Sequence, residues 1–340
     1  MRYSLIVPLY NREDTIRACL DSLLAQTISD YEIIIVDDGS TDNSGKIADE
    51  YAQNHEKIKV IHKQNGGLAD ARNVGLINAC GEYVLFPDSD DEYKSNLLEQ
   101  VDKYYGKDLI VFGYDIEYLE VIEQKTITNE NIDSEKSFLK EILIRIENSG
   151  AFNVAWNKAY KKEVIRELKF ECLMPAEDLI FNCNYYKKVS SVAVLSDRLY
   201  RYMRKEDVSL ATKYNPNLIN IVKIANEKRK ELYKFFGLED TKSKELLAKK
   251  IVGYNFSLVP NIFRRGNGLK AKQKYMQLKQ IVKDKKLKEQ IKLAKRKDFN
   301  GKFFSFHVKL GNGLIAFINY SLLFFIRNNM TGIYKKLRRK

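Results

Sequence analysis

The sequence has few of the residues that build disulfide frameworks or zinc sites. Its 340 residues include four cysteines and three histidines. No two cysteines stand at C-x-x-C spacing and no two histidines at H-x-x-x-H spacing, which excludes a disulfide-stapled domain and a zinc site made of these ligands. We therefore expect free, mostly buried thiols, a reducing compartment, and oxygen ligands for any bound metal ion.

Long apolar runs are also missing. The longest uncharged apolar stretch, 314–326, has 13 residues, whereas a membrane-spanning helix needs about 20. The apolar run 4–10 ends too early for a signal peptide, and no small-residue cleavage site follows it. We predict that the chain does not cross a membrane and that this first run is a buried strand.

Charge is unevenly distributed along the chain. Residues 1–100 carry 9 Lys+Arg against 18 Asp+Glu, whereas residues 211–340 carry 32 against 8. We therefore expect the last third to meet an anionic partner. The acidic first third predicts a site that needs a cation before phosphates can approach it.

Strand and helix patterns alternate over the first 90 residues. An apolar stripe beginning at Ile16 predicts a helix, and the β-branched run 33–36 is typical of a strand buried on both faces. Further helices are predicted at 44–54 and 68–79, and further strands at 59–62 and 83–87. This order predicts a doubly wound, mostly parallel α/β sheet whose ligand crevice lies at the carboxyl ends of its strands.

The pattern changes beyond residue 105. Short strands are predicted at 109–114, 126–128, 192–195 and 199–202, with helices around 134–146 and 176–189. From Pro216 onward the pattern is helical and rich in lysine. We divide the chain into a domain at 1–210, with halves of about 1–105 and 106–210, and an all-helical basic C-terminal region at 211–340.

The motif Asp37-Asp38-Gly39-Ser40-Thr41-Asp42 follows the second predicted strand. At the mouth of such a crevice, a carboxylate can accept a hydrogen bond from a nucleobase imide or a ribose hydroxyl. A polar strand-to-helix turn is an equally good interpretation of these residues alone.

A second acidic motif, Asp88-Ser89-Asp90-Asp91, follows the fourth predicted strand. Three carboxylates this close repel one another unless a cation lies among them, and Mg²⁺ or Mn²⁺ prefers such oxygen ligands together with substrate phosphates. An EF-hand is excluded because Tyr93 stands where glycine is required. An aspartyl-phosphate phosphatase is disfavoured by the residues after the motif, Asp91-Glu92.

The run Asn65-Gly66-Gly67 opens a predicted helix that carries Arg72. Free N–H groups at a helix start and a guanidinium suit phosphate or nucleobase contacts. A simple helix cap with a surface arginine is the structural alternative. The position of this run between the two acidic motifs favours the functional interpretation.

These motifs together resemble glycosyltransferase family 2, whose members have a GT-A fold. The resemblance rests on four ordered motifs, and it continues through two later ones over roughly residues 3–210. The motifs are Ile6-Val7-Pro8-Leu9-Tyr10-Asn11, Val36 to Asp42, Asn65 to Asn73, Phe86 to Asp91, Trp156-Asn157-Lys158 and Glu177-Asp178.

The resemblance implies a nucleotide-sugar site in the half 1–105. Asp38 would contact the base, and Arg72 would lie beside the base and the diphosphate. Asp88 and Asp90 would form the D-x-D element that binds Mn²⁺ or Mg²⁺, although Asp91 is an alternative ligand. The full set implied for the nucleotide sugar is Pro8, Tyr10, Asn11, Asp38, Asn65, Gly66, Arg72, Asp88 and Ser89.

On the acceptor side, 106–210, the resemblance implies that Asp178 is the catalytic base and Glu177 its neighbour. An exposed helix start that favours acidic residues is the alternative. Trp156 would offer an apolar face to an acceptor sugar, or is simply a core residue. Arg204 and Lys205 would close over the diphosphate, or belong to a solvated loop.

The implied activity is an inverting transfer of a hexose from a UDP-sugar donor to a saccharide acceptor. UDP-Gal, UDP-Glc or an N-acetylated relative is the expected donor. A lipid-linked acceptor in capsule or surface-polysaccharide synthesis is expected. The alternatives are a sugar-1-phosphate nucleotidyltransferase, which should carry a G-x-G-T-R signature absent after the first strand, and a non-catalytic polyanion-binding protein.

The basic C-terminal region favours an anionic membrane surface as its partner. Few aromatics interleave with the lysines of 270–297, so a nucleic-acid partner is not expected. The segment 311–340 combines an apolar stretch with a polybasic tail, which predicts a peripheral element on the inner face of the cell membrane. A docking helix with a solvated tail is the alternative, and the oligomeric state stays open.

Overall fold

A computed structural model describes residues 1–118, 121–135, 138–204, 214–264, 266–295 and 298–329. The chain divides into two compact units, Met1–Asp207 and Val208–Lys340. Each unit is described by itself below.

The first unit contains a single mixed sheet flanked by helices. Its strands are β1 (Tyr3–Leu9), β2 (Tyr31–Asp37), β3 (Ile58–His62), β4 (Tyr83–Leu85), β5 (Glu92–Tyr93), β6 (Leu109–Tyr118), β7 (Val121–Lys125), β8 (Ile132–Glu135), β9 (Lys158–Lys161) and β10 (Ser191–Met203). Its helices are α1 (Ile16–Leu24), α2 (Ser44–Asn54), α3 (Leu68–Asn78), α4 (Leu97–Asp102), α5 (Leu139–Ser149), α6 (Lys162–Ile165) and α7 (Glu177–Tyr186).

The sheet order is β3-β2-β1-β4-β9-β6-β10-β5, with β7 beside β6 and β8 beside β10. Strands β3, β2, β1 and β4 are parallel, whereas β9 runs antiparallel to both of its neighbours. The predicted α/β fold is therefore confirmed, but the sheet is mixed: its first half is parallel, and in its second half only β6 and β10 are parallel to each other.

Parallel register brings the ends of three strands together. Leu9 of β1 lies beside Asp37 of β2, and Asp37 lies beside His62 of β3. The loops that follow these strands and β4 carry the four motifs of the resemblance. They meet at one edge of the sheet because the strands share one direction.

The strands stay in place because they are apolar on both faces. Every residue of β1 is buried, as are all residues of β2 except Glu32. Such continuous burial is typical of parallel strands covered by helices on both sides. Helix α3 approaches β1 so closely that a Cβ atom on Gly75 would lie 2.2 Å from Cγ2 of Ile6.

The second unit is helical. Its helices are α8 (Leu218–Phe235), α9 (Thr241–Phe256), α10 (Leu258–Ile262), α11 (Ala271–Val282), α12 (Lys285–Ala294), α13 (Phe299–Leu310) and α14 (Gly313–Asn329). They enclose a hydrophobic core of their own, which includes Val252, Leu278, Phe304 and Tyr320. Among the described residues, no helix is long and apolar enough to cross a membrane.

Candidate active site

Asp38 joins the end of β2 to the start of α3. Its Oδ1 accepts hydrogen bonds from the Gly66 amide at 2.8 Å and from Lys63 Nζ at 2.5 Å, and its Oδ2 accepts one from the Gly67 amide at 2.7 Å. The amides expected to face phosphate are therefore occupied by Asp38. A carboxylate has about four lone-pair positions, and these three hydrogen bonds fill three of them. Asn65 Nδ2 donates to the Asp38 carbonyl at 2.9 Å.

Asn11 fastens the loop after β1 to the loop after β2. Its Oδ1 accepts from the Thr41 amide at 2.8 Å, and its own amide donates to Ser40 Oγ at 3.1 Å. Its φ of 51° is in the left-handed region, which asparagine tolerates better than most residues. Pro8 is buried within β1, and Tyr10 is the exposed aromatic at the strand's end.

Two cations that the sequence analysis does not single out lie against the acidic loops. Arg12 Nε donates to Asp90 Oδ2 at 3.2 Å, and Lys63 pairs with both Asp38 and Asp70. Lys63 directly follows β3, and Arg12 lies three residues after the end of β1. That position beside an acidic motif is the sequence signal that identifies them.

The aspartates of the acidic loop after β4 differ in how deeply they are buried. Asp91 is 2% exposed, and its carboxylate accepts from Tyr200 Oη and from the Met203 amide, both at 2.7 Å. Burial, with the neighbouring Asp88 and Asp90 charges, raises the pKa of Asp91. Asp91 therefore anchors the loop to β10, while the Asp90 side chain remains 37% exposed. The geometry favours Asp90 over Asp91 as a metal ligand.

Ser89 lies between these aspartates and is buried. Its carbonyl accepts a hydrogen bond from Thr15 Oγ1 at 3.1 Å. The residue thus fixes the loop against the start of α1.

Arg72 is the link between the donor and acceptor sides of the site. Its guanidinium is 1% exposed and donates to Asp88 Oδ1 at 2.9 Å and to Asp178 Oδ1. It lies 5.3 Å from the centre of the Phe170 ring. Arg72 is therefore a buried bridge between two carboxylates. Its place beside the base and the diphosphate stays a prediction.

Burial shapes the charge of this cluster. It raises the pKa of Asp88 to about 6, an effect that Arg72 opposes and that Asp90 and Asp178 increase. The pKa of Asp88 thus lies close to neutral pH, and further positive charge nearby would favour its ionised form.

Asp178 and Glu177 begin α7. The Asp178 carboxylate is held at both oxygens, because Oδ2 accepts from the Ala155 amide at 2.8 Å while Oδ1 faces Arg72. Glu177 is buried, and within the described part of the chain its Oε2 has no hydrogen-bond partner. Burial, followed by the Asp178 charge, raises the pKa of Glu177 to about 7. The alternative of an exposed acidic helix start is therefore wrong for Glu177.

Trp156 is a core residue. It is 6% exposed and stacks on Tyr200, with ring centres 4.3 Å apart, and on Tyr202 at 5.7 Å. The prediction that it offers a free face to an acceptor sugar is wrong, since its faces are covered by tyrosines. Tyr202, at the outer end of this stack, is only half-buried.

Arg204 is exposed, and its amide donates to the Glu117 carbonyl at 2.8 Å. Nothing in the structure tests closure over a diphosphate. Lys205 lies outside the described residues.

The donor set fits a metal ion completed by its substrate. Within the described residues, no three Asp, Glu, His or Cys side chains are arranged to hold a metal ion by themselves. Mg²⁺ is usually held by one or two carboxylates together with substrate phosphates. Asp88 and Asp90 supply that number of carboxylates.

Comparisons with known proteins give a consistent result. The Glycosyl transferase family 2 model matches residues 4–169. The uncharacterized glycosyltransferase EpsJ of Bacillus subtilis is 31% identical over 245 residues, which are 69% of this chain and 70% of EpsJ. Glycosyltransferase GlyG of Streptococcus pneumoniae is 33% identical over 222 residues, which are 62% of this chain and 74% of GlyG. The chain belongs to glycosyltransferase family 2.

A solved structure supports the family 2 fold. The crystal structure of Staphylococcus aureus TarS 1–349 in complex with UDP-GlcNAc aligns with a TM-score of 0.67 and 22% identity, covering 92% of this chain and 93% of that one. The predicted family, the GT-A fold with C-terminal helices and the glycosyltransferase activity are thus confirmed. Family membership also decides against the nucleotidyltransferase and the non-catalytic alternatives.

Proposed function

We propose that the protein transfers a hexose from a UDP-sugar to a saccharide acceptor with inversion at the anomeric carbon. The observation that carries this proposal is the buried Arg72, which holds the donor-side Asp88 and the acceptor-side Asp178 on one guanidinium. UDP-Gal, UDP-Glc and their N-acetylated relatives are the proposed donors. TarS, which crystallised with UDP-GlcNAc, supports the uridine nucleotide.

Asp178 is the proposed catalytic base. A carboxylate fixed by Arg72 and by the Ala155 amide keeps one orientation, which suits removal of a proton from an acceptor hydroxyl. That hydroxyl then attacks the anomeric carbon while the UDP oxygen leaves from the opposite face. A single displacement of this kind gives a β-linkage from an α-linked D-sugar donor.

Asp88 and Asp90 would hold the Mn²⁺ or Mg²⁺ ion. The bound ion would neutralise charge on the departing diphosphate. Arg12 pairs with Asp90 and Arg72 pairs with Asp88, so each carboxylate is oriented by its own arginine. Asp38 is proposed to accept a hydrogen bond from the uracil. Pro8, Tyr10 and Asn11, which belong to the preceding motif, are proposed to line the same nucleotide pocket.

The proposed acceptor is a lipid-linked saccharide in capsule or other surface-polysaccharide synthesis at the inner face of the membrane. The basic C-terminal region supports this setting, because it provides charge for anionic lipid. TarS is itself named a poly(ribitol-phosphate) beta-N-acetylglucosaminyltransferase, so a relative acts on a polymer that carries phosphate groups.

A donor screen combined with Asp178→Asn tests the proposal. We expect UDP release from one of the proposed donors in the presence of Mn²⁺ and an acceptor. In Asp178→Asn the amide still accepts from Ala155 but cannot take a proton, so turnover should fall about 1,000-fold while UDP binding stays within a few-fold.

The exposed Asp197→Asn is the matched control and should retain full turnover. Unchanged turnover in Asp178→Asn would remove Asp178 from the mechanism. Pyrophosphate exchange, or no reaction with any UDP-sugar, would contradict the proposed reaction.

A further inference from the structure

The side chain of Arg12 lies against the acidic loop after β4 but makes few contacts there. Its Nε donates to Asp90 Oδ2 at 3.2 Å, and its Nη1 donates to the carbonyl of Asn11 at 3.1 Å. Among the described residues these are the only side-chain hydrogen bonds of Arg12. A guanidinium has five N–H donors, so three remain available. Because the side chain is 24% exposed, a solute in the crevice can reach them.

The backbone of Arg12, in contrast, is held firmly. Its amide donates to Ser44 Oγ at 2.6 Å, and Ser44 is buried at the start of α2. The preceding residue is fastened to the same loop, because Asn11 Oδ1 accepts from the Thr41 amide at 2.8 Å. The guanidinium can therefore change its partner by rotation about side-chain bonds alone, without any movement of the loop.

The second arginine of the acidic loop does not have this freedom. Arg72 is 1% exposed, pairs with both Asp88 and Asp178, and lies against the Phe170 ring. Its departure would leave buried carboxylates without a counter-charge, which is strongly destabilising. Of these two arginines, only Arg12 can leave its carboxylate at little cost, since a partly exposed ion pair contributes little to stability.

A metal ion bound at Asp90 would change what Arg12 faces. Two cations on one carboxylate repel each other, so the ion and the guanidinium compete for Asp90. An ion of this kind completes its coordination with substrate phosphates, which brings phosphate oxygens beside the carboxylate that Arg12 contacts. A guanidinium can bind two phosphate oxygens at once, which makes the phosphates a better partner than the occupied carboxylate.

We infer that Arg12 exchanges Asp90 for the diphosphate of the donor when the metal ion binds. Arg12 is then a diphosphate-binding residue that neutralises Asp90 until the donor arrives. The inference rests on the proposed function, because it requires a metal ion at Asp88 and Asp90. A permanent Arg12–Asp90 ion pair that only orients the metal ligand is the alternative. The two roles differ in sign, since loss of an orienting partner weakens metal binding and loss of a competing cation strengthens it.

The variant Arg12→Gln separates the two roles, because it keeps a polar side chain and removes the charge. Without a donor, we expect it to bind Mn²⁺ at least about 3-fold more tightly than the wild type does. In saturating Mn²⁺, it should bind UDP about 10-fold more weakly, because hydrogen bonds from a charged donor to the phosphates are lost. Electron paramagnetic resonance of free Mn²⁺ measures the first affinity, and isothermal titration calorimetry with UDP measures the second.

Two further variants control for charge and for folding. Arg17→Gln removes an equal charge from α1, where Arg17 pairs with Glu50, and should bind Mn²⁺ and UDP as the wild type does. Arg12→Lys keeps the charge but cannot bind two phosphate oxygens in a planar fork. It should bind Mn²⁺ like the wild type and bind UDP with an affinity between those of the wild type and Arg12→Gln. This variant also tests the inference if Arg12→Gln fails to fold.

Unchanged or weaker Mn²⁺ binding in Arg12→Gln would overturn the inference and leave Arg12 as an orienting partner of Asp90. Unchanged UDP binding in that variant would also overturn it, and neither result would affect the proposed reaction. A wild type that binds neither Mn²⁺ nor UDP would contradict the proposed function and the inference together. The expected opposite shifts in the two affinities, without transfer of any sugar, would contradict only the proposed reaction.

Discussion

The ammonium group of Lys158 lies in the interior, where burial lowers its pKa to about 7 although the Asp178 charge opposes this shift. Its Nζ donates to the carbonyls of Ala151 at 2.5 Å and Val154 at 2.6 Å, and to Asn157 Oδ1 at 2.7 Å. The loop thus held includes Ala155, whose amide donates to Asp178. Lys158 is therefore a positioning residue for the proposed base.

Lys158→Met should impair both stability and catalysis. The buried Ala151 carbonyl loses its donor, whereas the Val154 carbonyl keeps a hydrogen bond from Asn182 Nδ2, so the free energy of unfolding should fall by about 2 kcal/mol. The loosened Ala155 amide should lower kcat between about 10- and 100-fold, with the donor KM unchanged. Urea unfolding and steady-state kinetics at a temperature where the variant is folded measure the two effects.

Lys162→Met is the matched control, because Lys162 also donates to a backbone carbonyl, that of Ala79 after α3. It should lose stability and keep kcat. An unchanged kcat in Lys158→Met would reduce Lys158 to a purely structural residue.

Single residues also show where sequence reasoning reaches its limit. Asp90 and Asp91 are identical neighbours, so spacing leaves the metal ligand ambiguous. Burial of Asp91 against Tyr200 and Met203 distinguishes them, and those partners are more than 100 positions away. Trp156 is similar, because its stacking on Tyr200 and Tyr202 depends on a distant strand.

At the scale of the element, helix α3 depends on one glycine. Gly75 is buried within α3, and an added Cβ would lie 2.2 Å from Cγ2 of Ile6 in β1. This close approach sets the distance between β1 and the helix that carries Arg72, one turn earlier.

Gly75→Ala should therefore destabilise the protein in spite of alanine's better helix propensity. Overpacking costs about 1 to 3 kcal/mol, which exceeds the gain of about 1 kcal/mol for Gly to Ala within a helix. Chemical denaturation measures the difference. In the background of Ile6→Ala, which removes Cγ2, Gly75→Ala should lower the free energy of unfolding by at least about 0.5 kcal/mol less than in wild type. Equal losses in both backgrounds would show that the Ile6 contact is not responsible.

Elements with strong local patterns are predictable, and edge elements are not. The sequence predicts a helix at 44–54, and the structure has α2 at Ser44–Asn54. The strand predicted at 126–128 is wrong, because β7 ends at Lys125, and its side chains are mostly exposed and give no apolar alternation. Strand β9 is not predicted because its four residues include two lysines, one of which, Lys158, is buried and donates to the carbonyls of Ala151 and Val154.

Strand β10 combines two predicted strands. The sequence predicts separate strands at 192–195 and 199–202, whereas Ser191–Met203 is continuous with register shifts near Arg198. The polar residues between the two runs suggest a break, but pairing with β6 on one side carries the strand through. Its far end supplies the Met203 amide that fixes Asp91.

At the scale of the whole molecule, the chain has two units, each with its own hydrophobic core, and their net charges are opposite in sign. One core lies in the sheet unit and the other in the helical unit. The helical unit carries 32 Lys+Arg against 8 Asp+Glu, whereas residues 1–100 of the sheet unit carry 9 against 18. The charge asymmetry is readable from sequence, because it needs no contacts. The face of α14 that packs on the core is not readable in this way, because only packing shows which face of an apolar helix is covered.

Two cores predict two thermal transitions, only one of which responds to the donor. A ligand that binds one folded unit at 100 times its Kd stabilises that unit by about 2.7 kcal/mol, which raises the Tm of a unit of about 200 residues by roughly 5 to 10 °C. Differential scanning calorimetry with UDP and Mn²⁺ should therefore shift the transition that Gly75→Ala lowers and leave the other in place. Equal movement of both transitions, or a single transition throughout, would show that the units unfold together and contradict the assignment of donor binding to the sheet unit alone.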